Sequence, residues 1–376
     1  MMNTTTESAQ LALDTILQKP TKGIPVFQIH PMQHSHIERL AGAAPGEYRA
    51  SPEKVYLAML KAAGVCIFDQ WLPDNPLSMG DLGYEGASLG ATTGAERIVC
   101  DGIEIDSPEA VVEHMESVEA ARLRKAVAEF DEDARVRQIV DGEAAIQEKL
   151  GPTILKTGYA FIWFPGFDYG RYGYVHYFSA FALYPDVIER HFSLVADLCL
   201  LNNRAAARAY REAGLPPLYR LDHDMADSRG TLVNMKHLDR VWLPHFARCL
   251  EPMLKTDVRM IWHCDGNLMQ MVPRLLDVGV AGFQGFQYED GMDYEKICRM
   301  KTRDGRDLVI VAGVSVTRTL PFGTPDDVKR ELARLVANGP KTGLFLACTS
   351  SIAPGVPWEN MQALVDGFAY YRRNEE

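Results

Sequence analysis

Two short segments contain most of the side chains in this sequence that could carry out chemistry. Residues Leu221–Asp227 read Leu-Asp-His-Asp-Met-Ala-Asp, and residues Trp262–Asn267 read Trp-His-Cys-Asp-Gly-Asn. Carboxylates, imidazoles and a thiol so close together are the groups that bind metal ions or transfer protons. The sequence therefore predicts an active site built around these two segments.

Both segments follow short apolar runs, and three further apolar runs end in the same way. A single polar residue after a strand means little, but five polar strand ends indicate a shared site at one end of a barrel. The three additional segments are Asp69–Trp71, Gln287–Asp290 and Cys348–Ser351. From these ends and the histidine-rich stretch near residue 30, we predict as substrate-binding residues His30, His34, Trp71, His223, Asn267 and Gln287. The alternatives are a metal site or solvent exposure for the two histidines near residue 30, and core packing for the tryptophan.

Asp222 and Asp224 flank His223, and the alternation of an extended chain places both acids on one face. Two carboxylates that converge in a partly closed pocket have different pKa values, so one of them stays protonated and can act as an acid. We therefore predict that Asp222 and Asp224 are catalytic. The alternative is that they are solvated or cap the next helix.

The elements that must position these residues alternate between strands and helices. Strands are predicted over residues 23–30, 64–69, 159–164, 217–221, 258–262, 281–286, 308–311 and 343–347. Repeated βα units imply parallel strands with right-handed crossovers, and a count near eight favours a closed barrel. We expect an α/β protein, a (β/α)8 TIM barrel in a single domain over residues 1–376. Residues 1–20 would form an N-terminal helical extension and residues 108–150 a charged helical insertion.

The bulk composition limits the classes of partner. The chain has 376 residues, and its net charge of −11 argues against nucleic acid or an anionic membrane as the main partner. Seven widely spaced cysteines without a CxxC motif fit a reducing compartment, so we expect a cytoplasmic protein. The sequence has no apolar run of ~18 residues that could span a membrane. It also lacks the glycine-rich motifs of dinucleotide and P-loop sites.

Several motifs together resemble the uroporphyrinogen decarboxylase superfamily. They are Met-Ile-Trp-His-Cys-Asp-Gly-Asn at 260–267, Gly-Val-Ala-Gly-Phe-Gln at 279–284, Gly-Met-Asp at 291–293, Gly-Thr-Pro-Asp-Asp-Val at 323–328 and Ser-Ile-Ala-Pro-Gly-Val-Pro-Trp-Glu-Asn at 351–360. The resemblance covers roughly residues 50–370 and is strongest over 215–370. It implies a TIM barrel with one of two chemistries: decarboxylation without a cofactor, or methyl transfer between a small molecule or thiol and a corrinoid protein, usually with zinc.

The segment after the first strand favours methyl transfer. The decarboxylases of this superfamily carry an arginine-rich segment there, which grips the carboxylates of the substrate. The corresponding stretch here, residues 28–36, reads Gln-Ile-His-Pro-Met-Gln-His-Ser-His and contains no arginine. Asp69 matches the position of the essential aspartate of the decarboxylases, so the resemblance makes it a third predicted catalytic residue; alternatively it is a buried acid bonded to loop amides.

The resemblance also implies a metal site. Methyltransferases of the superfamily bind zinc through a His-x-Cys-Gly turn and a later cysteine, whereas this chain reads His263-Cys264-Asp265-Gly266 and has Ser350 at the later position. Along a strand, His263 and Asp265 share a face and Cys264 faces away. Because zinc accepts N, S and O ligands, we predict its ligands among His263, Cys264, Asp265, Glu289 and Cys348. The alternatives are a histidine that orients substrate without metal, and cysteines that are simply buried.

Three functions follow as hypotheses. The first is a methyltransferase that passes a methyl group between a small-molecule donor or acceptor and a corrinoid (cobalamin) protein, with zinc assistance. The second is a cofactor-free decarboxylase that acts on a smaller acid through Asp69. The third is a non-catalytic barrel subunit of a corrinoid complex. A homodimer is left open as the assembly.

Overall fold

The structure is a computed structural model, which describes residues 6–79, 90–92 and 94–373. Its strands are β1 Ile67–Phe68, β2 Val99–Cys100, β3 Ile103–Glu104, β4 Leu155–Lys156, β5 Leu218–Asp222, β6 Ala226–Asp227, β7 Gly230–Thr231, β8 Arg259–His263, β9 Gly282–Gln284, β10 Val309–Val314 and β11 Leu344–Cys348. Within the described ranges, no helix is both long and apolar enough to cross a membrane.

Helices connect these strands and surround them. They are α1 Glu7–Ile16, α2 His34–Ala41, α3 Glu47–Ala50, α4 Pro52–Ala62, α5 Asn75–Met79, α6 Pro108–His114, α7 Ala120–Ala128, α8 Glu132–Leu150, α9 Tyr169–Tyr172, α10 Tyr174–Leu183, α11 Pro185–Ala213, α12 Met235–His237, α13 Leu243–Leu254, α14 Val272–Asp277, α15 Tyr294–Cys298, α16 Thr319–Phe322, α17 Pro325–Asn338 and α18 Trp358–Arg373. Two π-helical turns, Met115–Glu119 and Leu238–Trp242, and one 3-10 turn, Tyr288–Asp290, complete the set.

The parallel strands close into a barrel. Strands β11, β10, β9, β8 and β5 pair in that order, and a parallel bridge from Tyr219 to Gly158 continues the sheet towards β4. Strand β4 pairs with β1, and Val26 bridges both Val65, just before β1, and Leu346 in β11. Eight parallel segments therefore form a ring, which confirms the predicted TIM barrel.

The sequence explains why these segments are barrel strands. All residues of β10 and β11 are buried, as expected for parallel strands that are covered on both faces. In β5 the side chains alternate: the Tyr219 ring packs against Phe161 on the helix side, whereas Arg220 points to the acids at the barrel mouth. Helix α17 begins with a capping box, in which the Thr324 hydroxyl accepts the Asp327 N–H and the Asp327 carboxylate accepts the Thr324 N–H.

One local prediction is wrong. The apolar run 159–164 is not a strand, because pairing stops at Gly158 and Ala160 takes a left-handed φ of 62°. Its backbone bonds to side chains instead: the N–H of Ile162 donates to the Tyr219 hydroxyl at 2.7 Å, and that of Trp163 donates to Asn203 Oδ1 at 2.8 Å.

Candidate functional site

The barrel mouth brings the two predicted segments together. Asp222 at the end of β5 is in register with His263 at the end of β8. The loops that follow these two strands carry Asp224 and Asp265, and the N–H of Asp265 donates to Asp224 Oδ1 at 2.8 Å. Strand pairing and one loop hydrogen bond thus place four ionisable side chains at the C-terminal end of the barrel, where barrel enzymes have their active sites.

Three of these side chains form what we call the mouth triad: Asp224, His263 and Asp265. One potential ligand atom of each lies within 4.8 Å of the others, and His263 Nε2 is 3.9 Å from Asp265 Oδ1. A histidine nitrogen and two carboxylate oxygens at this spacing could bind one divalent cation.

Several side-chain atoms of the mouth triad lack hydrogen-bond partners among the described residues. His263 is only 7% exposed, and its ring forms no hydrogen bond with any described residue. Asp265 Oδ1 is also buried without a partner in the described ranges, although its Oδ2 accepts a bond from Ser350 Oγ at 3.1 Å. Since buried polar atoms normally have partners, the orphaned Asp265 Oδ1, which faces His263 Nε2, fits a site for a bound cation.

The electrostatics of Asp265 agree with this geometry. Burial raises the pKa of the Asp265 carboxyl above its usual value; the charge of His263 opposes this rise, and the carboxylate of Asp224 adds to it. A nearby divalent cation would remove this penalty on the ionised form. Asp224 and Asp265 are thus a pair of acids that converge beside His263.

A glycine shapes the other side of the imidazole. Gly285 has a φ of +87°, and a Cβ built on it would lie 2.6 Å from His263 Nδ1. A side chain at this position would therefore have to displace the histidine ring, besides adopting a backbone conformation that favours glycine.

The remaining predicted metal ligands lie outside the mouth triad. Cys264 is 2% exposed, and its Sγ accepts the N–H of Met225 at 3.3 Å. Burial raises the pKa of this thiol far above its usual value. Cys348 is buried in β11, and burial likewise raises its pKa. Glu289 accepts hydrogen bonds through Oε1 from the hydroxyls of Ser315 and Thr317. Over the part of the chain that the structure describes, none of the three joins a group of three close donors.

The sequence analysis did not identify Arg220, which bonds to two of the predicted catalytic acids, Asp69 and Asp222. Its Nε donates to Asp69 Oδ2 at 2.7 Å, its Nη2 donates to Asp69 Oδ1 at 3.2 Å, and its Nη1 donates to Asp222 Oδ2 at 2.6 Å. The Tyr159 hydroxyl also donates to Asp222 Oδ2, at 2.9 Å. The alternation Leu-Tyr-Arg-Leu-Asp in β5, which places Arg220 and Asp222 on one face, could have revealed this cluster.

These bonds set the ionisation state of Asp222. Burial opposes its charge, but the positive charges of His263 and Arg220 and the bond from Tyr159 outweigh it, so the pKa of Asp222 is lowered. Asp222 is therefore a carboxylate at neutral pH. It can orient positively charged groups, and the catalytic roles of Asp222 and Asp224 stay predictions.

The predicted substrate-binding residues near the first two strands differ in accessibility. His30 Nδ1 is 2.5 Å from the Tyr56 hydroxyl and its Nε2 is 3.1 Å from Asn75 Nδ2. Burial, with a contribution from the charge of Arg220, lowers the pKa of His30 to about 4. His34 is buried in α2, with its Nε2 3.0 Å from the Pro76 carbonyl oxygen. Trp71 is partly buried and packs edge-on against Tyr56.

The other three predicted substrate-binding residues surround the mouth triad. His223 Nε2 accepts the N–H of Phe167 at 2.6 Å, so a neutral His223 carries its proton on Nδ1. Gln287 Oε1 accepts the N–H of Gly266 at 2.6 Å, which fixes the loop after His263. Asn267 Oδ1 accepts the N–H of Met269 at 3.2 Å. The two amides thus hold loops in place, and their roles towards a substrate stay predictions.

A second group of donors lies away from the mouth, and we call it the closed cluster: Asp101, His114 and Glu119. His114 bonds to Asp101 Oδ2 and to the Tyr172 hydroxyl, both at 2.9 Å. Two arginines complete the charge balance. Arg122 pairs with both acids, and so does Arg171, at 2.9 Å from Asp101 and 3.0 Å from Glu119.

Comparisons with known proteins agree with the barrel. The profile of the uroporphyrinogen decarboxylase (URO-D) family matches residues 171–370, which are 200 of the 376 residues. A methyltransferase from Methanosarcina mazei is similar in structure at 18% identity, with a TM-score of 0.57 over 97% of this chain and 98% of that chain. A B12-independent methionine synthase from Shewanella sp. W3-18-1, in complex with selenomethionine, matches at 11% identity, with a TM-score of 0.38 over 61% of this chain and 64% of that one.

No curated protein matches the chain. The Methanosarcina structure shows that the fold extends over nearly the whole sequence. Since the family profile covers more than half of its residues, the chain belongs to the uroporphyrinogen decarboxylase (URO-D) family.

Proposed function

We propose that this protein is an enzyme that transfers a methyl group between a small molecule and a corrinoid protein, assisted by a divalent metal ion at the barrel mouth. The observation that carries the proposal is the mouth triad, in which a buried His263 without hydrogen bonds faces Asp224 and Asp265. The similarity in structure to a methyltransferase from Methanosarcina mazei supports the reaction type. The corrinoid partner follows from the resemblance stated above.

The residues at the mouth have distinct roles in this proposal. Asp224, His263 and Asp265 would hold the ion, which supplies Lewis acidity and lowers the pKa of a group bound to it. Ser350 orients Asp265 through the bond to Oδ2. Asp222, kept ionised by Arg220 and Tyr159, presents a fixed negative charge beside His263.

The decarboxylase hypothesis receives less support from the geometry. Asp69 is 2% exposed, and both of its carboxylate oxygens accept bonds from Arg220. A substrate could reach Asp69 only if this buried ion pair opened, at the cost of leaving charges unpaired. The non-catalytic hypothesis is also less supported, because Asp222 and His263 converge at the mouth.

We also propose a cytoplasmic location and a single-domain organisation. All seven cysteines are free and buried, as is usual in a reducing compartment. Residues 108–150 form helices α6 to α8, and Arg208 on α11 pairs with Glu132 and Asp133 at the start of α8. These contacts support placing the segment in the barrel domain as an insertion.

The first test is metal content. Protein purified without chelator should contain about one divalent ion per chain, and His263→Ala should lose it, with affinity weakened about 100-fold or more. His114→Ala, which removes the histidine of the closed cluster, should keep the ion. Elemental analysis of the three folded proteins decides this.

The second part of the test is transfer itself. With free methylcobalamin as donor and a panel of small thiols and amines as acceptors, the visible spectrum of the cobalamin reports demethylation. We expect wild type to demethylate it with at least one acceptor and His263→Ala to be inactive. Folded, metal-loaded wild type that transfers no methyl group to or from cobalamin with any member of the panel would count against the proposal.

A further inference from the structure

The sulfur atoms near the mouth triad are held away from it. Cys264, next to His263 in sequence, turns to the core, where its Sγ accepts the Met225 N–H and lies 2.9 Å from the carbonyl oxygen of Asp265. Cys348 is 4% exposed within β11 and belongs to no group of close donors in the described ranges. Neither thiol is therefore placed to bind an ion between His263 and Asp265.

Two residues with oxygen atoms occupy the positions at which the zinc-binding methyltransferases of the superfamily have cysteines. Asp265 follows His263 at the spacing of the first cysteine, and Ser350 occupies the position of the later one. The structure joins these two residues directly, since Ser350 Oγ donates to Asp265 Oδ2 at 3.1 Å. The hydroxyl therefore orients a carboxylate, and Asp224 adds a second carboxylate to the site.

We infer that the mouth triad binds a metal ion through nitrogen and oxygen alone, and that it selects less strongly for zinc over manganese than a thiolate site does. The inference rests on the proposed function only for the location of the ion. A neutral imidazole and two carboxylates balance the charge of a divalent cation. Carboxylates and water suit Mn²⁺, whereas thiolates favour Zn²⁺.

Two observations make this a ligand site rather than a cluster of acids. His263 is more than nine-tenths buried and has no hydrogen-bond partner among the described residues, and its Nε2 faces Asp265. Asp265 Oδ1, 3.9 Å from that nitrogen, is buried and equally without a partner. The 3.9 Å between these two atoms is too long for a hydrogen bond and leaves room for an ion that both would bind.

The test uses Co²⁺, whose spectrum distinguishes sulfur ligands from nitrogen and oxygen. Apoprotein titrated with Co²⁺ should show weak ligand-field bands and no thiolate-to-cobalt charge-transfer band. Asp265→Cys should gain that band, and Cys264→Ser and Cys348→Ser should leave the wild-type spectrum unchanged. A charge-transfer band in wild type that either serine variant removes would overturn the inference, and so would failure of folded wild type to bind Co²⁺.

Competition between Zn²⁺ and Mn²⁺ measures how strongly the mouth triad prefers one ion over the other. The ratio of the two dissociation constants should shift towards Zn²⁺ by about 100-fold in Asp265→Cys. An unchanged ratio would contradict the inference. Loss of methyl transfer in a protein that binds Mn²⁺ without sulfur would reject the proposed function alone, whereas a thiolate band in an active methyltransferase would reject this inference alone.

Discussion

The mouth triad and the closed cluster contain the same residue types, one histidine and two acids, in nearly the same spacing, but they differ in their partners. In the closed cluster every acid meets an arginine, and both nitrogens of His114 are bonded. In the mouth triad, within the described residues, neither His263 Nδ1 nor Asp265 Oδ1 has a hydrogen-bond partner.

This difference shows that spacing alone does not identify a metal site. Arg122 and Arg171 supply the positive charge of the closed cluster from within the chain. Arg220 lies near the mouth triad, but it is bonded to Asp69 and Asp222, so its charge is already balanced. No arginine among the described residues pairs with an acid of the mouth triad, and a cation from solution would supply positive charge there.

The difference between the two clusters is tested most directly by substituting each histidine and measuring the stability of the metal-free protein. His114→Ala loses two hydrogen bonds in a fully buried position and leaves an acid with fewer partners, so we expect a loss of about 3 kcal/mol in the free energy of unfolding. His263→Ala loses no hydrogen bond, and the cavity alone should cost about 1 kcal/mol. Urea denaturation in the presence of chelator measures both.

Added Mn²⁺ supplies the control for this pair of variants. It should stabilise wild type and His114→Ala in proportion to the logarithm of its concentration, and should leave His263→Ala unchanged. Equal losses from the two substitutions in chelator, or equal stabilisation of both by Mn²⁺, would mean that the two clusters do not differ in the way described.

His30 provides a third case, a buried histidine whose hydrogen-bond partners, Tyr56 and Asn75, are both neutral. The pKa of His30 is about 4 in the folded protein, below its ordinary value of 6.5, owing to burial and the charge of Arg220. Since the unfolded chain binds the proton more readily, the stability contributed by neutral His30 is complete above pH 6.5 and is lost as the pH falls towards 4. Between pH 7 and pH 5 this loss should be roughly 2 kcal/mol.

The matched variant is His30→Gln, which keeps a polar side chain but cannot titrate. The difference in unfolding free energy between wild type and His30→Gln should shrink by that amount as the pH falls from 7 to 5, measured by denaturant titration at each pH. A difference that stays constant across this range would show that His30 is not held neutral by its surroundings.

The sequence was sufficient to predict the barrel and the two segments at its mouth. The continuous apolar runs of β10 and β11 fit parallel strands that are buried on both faces, and their alternation with helices along the chain favours a barrel. The run 159–164 was wrongly predicted as a strand because it is equally apolar. Its backbone bonds instead to the side chains of Tyr219 and Asn203, which are distant in sequence.

The site was only partly predictable. Strand alternation predicts that His263 and Asp265 share one face and that Cys264 points to the other. The inclusion of Asp224 in the triad depends on a loop hydrogen bond to the Asp265 N–H, which no local pattern reveals. The ion pair of Arg220 with Asp69 joins residues 151 positions apart, so it could not be predicted from the sequence alone, whereas the shared face of Arg220 and Asp222 follows from strand alternation. The domain limits and the roles of Asn267 and Gln287 stay predictions.

The unpartnered Nδ1 of His263 also bears on how long an ion would remain bound. Histidines that bind metal usually donate their other N–H to a carboxylate or carbonyl oxygen, and loss of that partner weakens binding about 10- to 100-fold. His263 Nδ1 instead lies beside Gly285 and has no partner within the described residues. We therefore expect the ion to exchange readily, so that dialysis against EDTA strips it without denaturant. Occupancy in the cell would then follow the supply of free metal, and the protein would be switched on and off by metal availability.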